Sequence, residues 1–389
     1  MKIRRQNILE MLSRAGLLLG SIVISLLLLE GLVRTFMPQQ LIIIRPDIWV
    51  PDNRYGWSRA PNLDTLINTG ERTVHLLTDE AGNRISQTLS DETPELRILA
   101  LGDSFTEGLQ VEQDESMTGQ IQEQLTQEMG IPIEVVNTGV AGWGPSHYLL
   151  KAEEEFEQSQ YDLVLVFLYM GNDVEQQRIT AFEPKQPATR HSFRIPHNLT
   201  VREIIDSFLY PLNDYLEVHS HLFVLIRNSF PDVKSILVAL RHADKRQSID
   251  PAIVYQDAVI HRSQASSTRW TITADTCAEI ARLASEHGAP TIFVLLPARE
   301  WIVDGAFEQT VQQFGLEPTD FDLTQPARLL EEEFDERDLI TINMMEAFEK
   351  AAANGTPDLY GAVDTHFGPS GHRLVAEVTA AKISTLVMR

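Results

Sequence analysis

A serine lies at a turn between a predicted strand and a predicted helix, where it could act as a nucleophile. Residues 96–101 are apolar and bounded by a proline and a glycine, which predicts a buried strand. Apolar side chains then recur every four positions over residues 117–130, as in an amphipathic helix. We therefore expect Ser104 at the carboxyl edge of a parallel sheet, where open α/β sheets bind ligands. A serine hydroxyl becomes a good nucleophile only when a neighbouring base takes its proton.

Three later loops carry groups that could complete such a site. The second predicted strand runs into a glycine-rich loop that contains Gly142, and the third ends at Asn172. The loop before the last predicted helix contains Asp364 and His366. Because the carboxyl ends of parallel strands share one edge of a sheet, we expect Gly142 and Asn172 to lie near Ser104.

Five predicted strands alternate with predicted helices along the chain. The strands cover residues 96–101, 133–136, 163–168, 291–296 and 339–342, and the last helix covers residues 369–387. The third strand is apolar on both faces, which is typical of a parallel sheet covered by helices on both sides. The alternation predicts a doubly wound α/β sandwich. Residues 175–270 break this rhythm and are interpreted as an insertion beside the carboxyl edge of the sheet.

Taken together, these motifs resemble those of the SGNH, or GDSL, superfamily of serine esterases and acyl hydrolases. The Gly-Asp-Ser run that ends at Ser104 matches the nucleophile motif of that family, and Gly142 falls on its oxyanion glycine. Asn172 falls on its oxyanion asparagine, and His366 on its catalytic base. The motifs follow the family order and cover residues 96–389. The resemblance implies a three-layer α/β/α sandwich with a five-stranded parallel sheet in flavodoxin-like order.

The same resemblance implies the cleavage of an ester through an acyl-enzyme on Ser104. His366 would take the serine proton, and Asp364, two residues earlier, would orient the imidazole. The N–H groups of Ser104 and Gly142 and the side-chain amide of Asn172 would bind the oxyanion, where one donor is worth ~10²–10³ in rate. The implied substrate is a small-molecule or carbohydrate ester, and no cofactor is expected.

Other interpretations stay open from the sequence. The spacing Asp364-x-His366 departs from the commoner Asp-x-x-His, and polysaccharide O-acetyltransferases carry an Asp-x-His motif before their serine. An O-acyltransferase of an envelope or extracellular polysaccharide would use the same residues, and Trp143 could either stack on its sugar or belong to the core. A catalytically silent binding module would keep the fold without turnover. A metal site built from Asp103, Asp173, Asp364 and His366 lacks a tight ligand spacing, and no metal is expected.

Residues 1–37 are predicted to form a basic cytoplasmic flank and a transmembrane anchor. The stretch from Ala15 to Phe36 is mainly apolar, with Glu30 near its outer end, and about 22 residues can span the hydrocarbon core of a bilayer. No small-residue cleavage site follows, which favours an uncleaved anchor over a signal peptide. Basic residues before the span predict that everything after residue 37 is periplasmic or extracellular. A buried helix of a soluble protein is the alternative.

Composition excludes some partners and some chemistry. The 389 residues include 32 Lys and Arg against 55 Asp and Glu, a formal net charge of −23. Nucleic-acid binding needs clustered basic residues, so nucleic acid is excluded as the main partner. The single cysteine, Cys277, leaves no intrachain disulfide and lies on an apolar helical stripe, which predicts a buried thiol. His372, one turn into the last helix, is interpreted as a helix-end or core residue.

Three regions follow from these patterns. Residues 1–37 form the flank and anchor, and residues 38–95 form a linking segment with several turn signals and a short strand or hairpin near residues 73–77. The resemblance implies that residues 96–389 form an SGNH hydrolase domain, with the insertion at about residues 175–270. We find no residues in the linking segment that predict chemistry.

Overall fold

The computed structural model describes most of the chain, namely residues 2–39, 48–69, 72–86, 93–171, 173–174, 215–216, 219–229, 264–308, 317–361 and 365–387. The chain divides into two units, Met1–Ile43 with His191–Arg246, and Ile44–Arg190 with Gln247–Arg389. Two predicted site residues, Asn172 and Asp364, lie outside the described residues, and so does most of the predicted insertion.

The larger unit contains ten strands among its described residues. They are β1 (Trp49–Asp52), β2 (Gly56–Arg59), β3 (Asp64–Asn68), β4 (Thr73–Thr78), β5 (Arg84–Ile85), β6 (Leu96–Leu101), β7 (Ile133–Asn137), β8 (Leu163–Tyr169), β9 (Thr291–Leu296) and β10 (Ile340–Asn343). The described helices of the chain are α1 (Lys2–Phe36), α2 (Ser104–Glu107), α3 (Met117–Met129), α4 (Pro145–Gln158), α5 (His221–Ser229), α6 (Gln264–Glu286), α7 (Arg299–Ile302), α8 (Gln325–Asp335), α9 (Met345–Ala353) and α10 (Pro369–Val387).

Eight of the strands form one sheet in the order β10-β9-β8-β6-β7-β5-β4-β3. Strands β6 to β10 pair in parallel, and β6 lies between β7 and β8. If these five strands are numbered 1 to 5 along the chain and the sheet is read from β7 to β10, their order is 2-1-3-4-5, which is the flavodoxin-like order. The five parallel strands and their order are therefore as predicted from the sequence and its family resemblance.

The prediction of five strands for the whole sheet is wrong, because the linking segment adds three more. Strands β3 and β4 form an antiparallel hairpin, β4 pairs with β5, and β5 meets β7 through Arg84 and Asn137. An open edge strand presents unpaired N–H and C=O groups, and these antiparallel strands satisfy some of them on β7. Strands β1 and β2 form a separate antiparallel pair.

The core lies between the parallel strands and two groups of helices. Strand β9 is buried along its whole length, and β8 along all but its last residue. Helix α3 packs against α10, whereas α4 packs against α6, which also contacts α8. Helix α3 also contacts β7, and α6 contacts β9, so the helices and the sheet pack together as a mixed α/β fold. Cys277 is fully buried in α6 as a free thiol, which confirms the prediction.

The smaller unit contains α1 and α5. Among the described residues, one segment, Gly16–Phe36 of α1, is long and apolar enough to cross a membrane, with a mean hydropathy of 2.3. Its apolar side chains are largely exposed, unlike those of a core helix. Length and composition suit an anchor or a signal sequence alike.

Glu30, the acidic residue of that apolar segment, caps helix α5. Its carboxylate accepts hydrogen bonds from the Ser220 hydroxyl (2.8 Å) and from the backbone N–H groups of His221 (3.0 Å) and Leu222 (2.9 Å). Arg34, one turn further along α1, lies 3.2 Å from the same carboxylate. A negative charge is favourable at the start of a helix because the first N–H groups have no partner within the helix. Glu30 therefore joins α5 to α1.

Candidate active site

The turn that carries Ser104 is set by its neighbours. Strand β6 ends at Leu101 and α2 begins at Ser104, after Asp103 has capped the helix by accepting a hydrogen bond from the Phe105 N–H at 2.9 Å. Only glycine fits at position 102, because a Cβ there would lie 2.0 Å from Oγ1 of Thr106. Ser104 therefore begins a tight helical turn and stays half-buried at the sheet edge.

The structure brings His366 to Ser104 across 262 positions of sequence. Nε2 of His366 lies 2.7 Å from Oγ of Ser104. The imidazole packs on the Phe105 ring, with 4.7 Å between the ring centroids. The backbone carbonyl of His366 accepts a hydrogen bond from the Gly361 N–H at 2.9 Å. This arrangement has the distance at which an imidazole can take a proton from a hydroxyl.

The Gly142 loop is bonded to the Ser104 turn. The Val140 N–H donates to the carbonyl of Gly102 (3.2 Å), and the Ala141 N–H donates to Oε2 of Glu107 (2.8 Å). Gly142 itself has a φ of +80°, a left-handed conformation that favours glycine. The predicted oxyanion glycine is therefore exposed on a loop that is fixed to the helix beginning at Ser104.

The two remaining predicted site residues, Asn172 and Asp364, lie outside the described residues, but their surroundings are defined in part. Asp173, next to Asn172, is buried, and its carboxylate accepts bonds from the Tyr148 hydroxyl (3.1 Å to either oxygen) and the Tyr169 N–H (2.9 Å). The chain on the carboxyl side of position 172 is thus fixed to α4 and β8.

A pair of buried carboxyl groups, Asp103 and Asp173, lies beneath the site. Burial raises the pKa of Asp103 to about 6, although His366 and the Phe105 N–H act in the opposite direction. Burial and the nearby charge of Asp103 raise the pKa of Asp173 well above its ordinary value. Oδ2 of Asp103 has no hydrogen-bond partner within the described part of the chain. No group of three or more metal-ligating side chains is found among the described residues.

The other histidines near the site have structural surroundings. His372 is buried and its Nδ1 accepts a hydrogen bond from the Met117 N–H at 3.2 Å. Burial, together with Arg84 and His366, lowers the pKa of His372 to about 3, so the ring is neutral at ordinary pH. His147 is also buried, and burial lowers its pKa to about 4. His372 therefore has the surroundings of a core residue, in agreement with its interpretation from the sequence.

Trp143 belongs to the core. Only 2% of its surface is exposed, its indole N–H donates to the carbonyl of Trp57 (3.1 Å), and its ring stacks on His147. A buried ring cannot stack on a substrate sugar, so that alternative for Trp143 is wrong.

Sequence reasoning missed Glu107, which is fully buried three residues after Ser104. It forms an ion pair with Arg59 of β2 at 3.1 Å, and both side chains are at most 1% exposed. Trp49 of β1 donates to the same carboxylate at 3.2 Å, and Arg84 of β5 donates to the Glu107 carbonyl at 2.7 Å. Charged residues are rarely fully buried without a partner, but the partners here come from the linking segment, so position 107 gave no local signal.

Comparisons with known proteins find similar solved structures, but no matching family model or curated sequence. Among solved structures, the chain resembles the acetyl xylan esterase AlAXEase (11% identity, 74% of this chain and 100% of that one, TM-score 0.39). It also resembles a lipolytic G-D-S-L family protein from Veillonella parvula (15% identity, 75% of this chain and 98% of that one, TM-score 0.37). A third similar structure is the lipase/acylhydrolase from Enterococcus faecalis (13% identity, 75% of this chain and 96% of that one, TM-score 0.37). TM-scores below 0.5 are too low to assign a function, so the functional proposal rests on the site residues.

Proposed function

We propose that this chain is a membrane-anchored serine esterase of the SGNH type. The observation that carries the proposal is the 2.7 Å distance between Nε2 of His366 and Oγ of Ser104. The two residues belong to sequence motifs that match the nucleophile and base of that superfamily. A serine and a histidine at hydrogen-bond distance, both half-buried at the carboxyl edge of a parallel sheet, are the minimal apparatus for acyl transfer.

In the first step, Ser104 Oγ attacks the carbonyl carbon of the ester while His366 Nε2 takes the hydroxyl proton. The carbonyl oxygen becomes an oxyanion, and the N–H groups of Ser104 and Gly142 and the amide of Asn172 are the proposed donors to it. The tetrahedral intermediate collapses as the imidazolium returns its proton to the departing alcohol. An acyl group then remains on Ser104.

In the second step, water replaces the alcohol. His366 takes a proton from the water as its oxygen attacks the acyl carbon, and the same donors bind the second oxyanion. Collapse releases the carboxylic acid and returns the proton to Ser104 Oγ. Asp364 is proposed to hold the imidazole in the required orientation through both steps, because an imidazolium forms twice.

The proposed location follows from the apolar segment Gly16–Phe36 and the basic residues before it. We propose that this segment is an uncleaved anchor and that the residues after it are periplasmic or extracellular. The substrate class is a small-molecule or carbohydrate ester.

A fluorophosphonate probe tests the nucleophile and the base in the full chain solubilised in detergent. The wild type should be labelled on Ser104, and Ser104→Ala or His366→Ala should abolish labelling and ester hydrolysis. Asp364→Ala should retain more activity, because it removes an orienting group rather than the nucleophile or base. Ser370→Ala, which alters a serine in the first turn of α10 outside the proposed triad, is the control and should be labelled normally. Equal labelling of wild type and Ser104→Ala would contradict the proposal.

A further inference from the structure

The peptide group between Ala141 and Gly142 is held through its carbonyl, and the peptide group before it is held through its N–H. Its carbonyl oxygen, on Ala141, accepts a hydrogen bond from the indole N–H of Trp57 at 2.9 Å. The residue that carries this carbonyl is itself fixed by its own N–H, which donates to Oε2 of Glu107 at 2.8 Å. The carbonyl of Ala141 and the N–H of Gly142 belong to one planar trans unit and point in opposite directions. A bond that fixes the carbonyl therefore also fixes the direction of the Gly142 N–H.

Trp57 also touches Gly142 directly. A Cβ on residue 142 would lie 3.2 Å from Cζ2 of the indole, and the positive φ of Gly142 already disfavours any other residue. The backbone carbonyl of Trp57 accepts the indole N–H of the buried Trp143 at 3.1 Å. Trp57 is thus joined to the loop on both sides of Gly142, through Ala141 and through Trp143.

The second holding group, Glu107, is fixed by the same two-stranded sheet that carries Trp57. Trp49 of β1 and Arg59 of β2 lie opposite each other in the antiparallel register, and both donate to Oε1 of Glu107, at 3.2 and 3.1 Å. The other oxygen, Oε2, stays directed to the Ala141 N–H. A carboxylate that accepts three bonds in a buried site has little freedom to rotate.

We propose that Trp57 is a positioning residue that aims the Gly142 N–H at the oxyanion, while Glu107 holds the preceding peptide group through the Ala141 N–H. This inference rests on the proposed function, because it assigns Gly142 as a donor in ester cleavage. It also gives the linking segment a catalytic purpose that the sequence did not predict. Trp57 acts through the peptide and does not touch the reacting atoms.

An oxyanion donor acts chiefly in the transition state, so a loosened donor should lower kcat and leave KM nearly unchanged. Trp57→Phe retains an aromatic ring but removes the N–H that holds the Ala141 carbonyl. We expect kcat for a simple acetyl ester to fall roughly 10-fold or more, since small misplacements of catalytic groups are costly. Trp49→Phe, which removes one of the three bonds to Glu107 and leaves the Trp57 bond, should lower kcat less.

The matched control is Trp270→Phe. Trp270 is a buried tryptophan of α6 whose indole nitrogen has no hydrogen-bond partner among the described residues, so the same substitution removes no such bond. All three variants are made in the full chain in detergent, and their melting temperatures are measured. Hydrogen exchange across residues 138–143 supplies a readout that does not depend on activity. Exchange there should accelerate in Trp57→Phe and stay at the wild-type rate in Trp270→Phe.

The outcomes separate this inference from the proposed function. Wild-type hydrolysis that disappears in Ser104→Ala, together with a lower kcat and faster loop exchange in Trp57→Phe but not in Trp270→Phe, supports both. Ser104-dependent hydrolysis with an unchanged kcat in Trp57→Phe overturns the positioning role and leaves the esterase intact. An equal loss of kcat in Trp57→Phe and Trp270→Phe also overturns it, because the loss then follows tryptophan removal in general. A wild-type protein without Ser104-dependent hydrolysis overturns the proposed function itself, and this inference with it.

Discussion

Ser104 and Glu107 lie at the two ends of the four-residue helix α2, one turn apart. The Ser104 hydroxyl meets His366, whereas the Glu107 carboxylate accepts the Ala141 N–H of the glycine-rich loop. A single helical turn therefore joins the proposed nucleophile to the proposed oxyanion loop. The helical turn sets the distance between the two backbones, and Trp49 and Arg59 orient the Glu107 carboxylate.

The proposed oxyanion asparagine makes a kinetic prediction. Asn172→Ala should lower kcat for an acetyl ester by ~10²–10³ with little change in KM, because the amide is expected to bind the oxyanion and not the ground state. Steady-state kinetics on the full chain measure both constants. A variant with a raised KM and a normal kcat would show that Asn172 binds substrate instead.

The buried His372 predicts how stability depends on pH. Its folded pKa of about 3 lies below the ordinary value of 6.5, so the unfolded chain binds a proton at pH values where the folded chain does not. The contribution of His372 to the free energy of unfolding is therefore greatest above about pH 6.5. It decreases as the pH falls towards 3, by up to roughly 5 kcal/mol in total. His372→Gln should therefore flatten the decline of the unfolding free energy on acidification. Denaturant unfolding between pH 4 and 8 measures the free energy of unfolding of the wild type and of His372→Gln. An equal dependence of that free energy on pH in the two proteins would contradict the prediction.

Glu30 predicts a local effect on helix α5. Glu30→Ala removes an acceptor from the first N–H groups of α5, and losing a helix cap costs about 1 kcal/mol. Hydrogen exchange at His221 and Leu222 should therefore become about five-fold faster in the full chain. Glu123→Ala, which removes an exposed carboxylate from α3, is the control. Unchanged exchange at both amides in Glu30→Ala would mean that the cap contributes nothing in solution.

The membrane topology can be tested with a reporter that is active only outside the cytoplasm. Fused after Arg389, it should be active, because the basic residues before the apolar segment favour a cytoplasmic amino terminus. A second reporter, active only in the cytoplasm, is the control and should be silent at the same position. The reverse pattern would overturn the proposed orientation.

Hydrolysis and acyl transfer share the acyl-enzyme, so only the acceptor distinguishes them. Transfer needs a bound sugar and restricted water, and Trp143, the aromatic residue next to Gly142, is buried and cannot stack on a sugar. We expect free acetate as the main product from a simple acetyl ester, at a rate that added oligosaccharide does not change. Acetylated oligosaccharide that forms faster than free acetate would support an O-acyltransferase instead.

The sequence by itself determined the parallel part of the sheet and the position of Ser104. Each parallel strand is a local apolar run followed by a turn, so its existence depends on neighbours within a few residues. The resemblance to the SGNH superfamily added His366 as the expected base, and its Nε2 lies 2.7 Å from Oγ of Ser104. Ser104 and the Gly142 loop follow neighbouring parallel strands, whose carboxyl ends share one edge of the sheet.

Only the tertiary structure decided what holds these residues in place. Trp57 and Ala141 are 84 positions apart, Arg59 and Glu107 are 48 apart, and Glu30 meets α5 from 190 positions away. None of these pairs has a periodicity or spacing that a local pattern could reveal. The linking segment reads as turns and short strands. Three of its five described strands, β3 to β5, join the sheet because β7 would otherwise leave an open edge. Long-range hydrogen bonds depend on which surfaces meet after folding, and that information is absent from any one stretch of the chain.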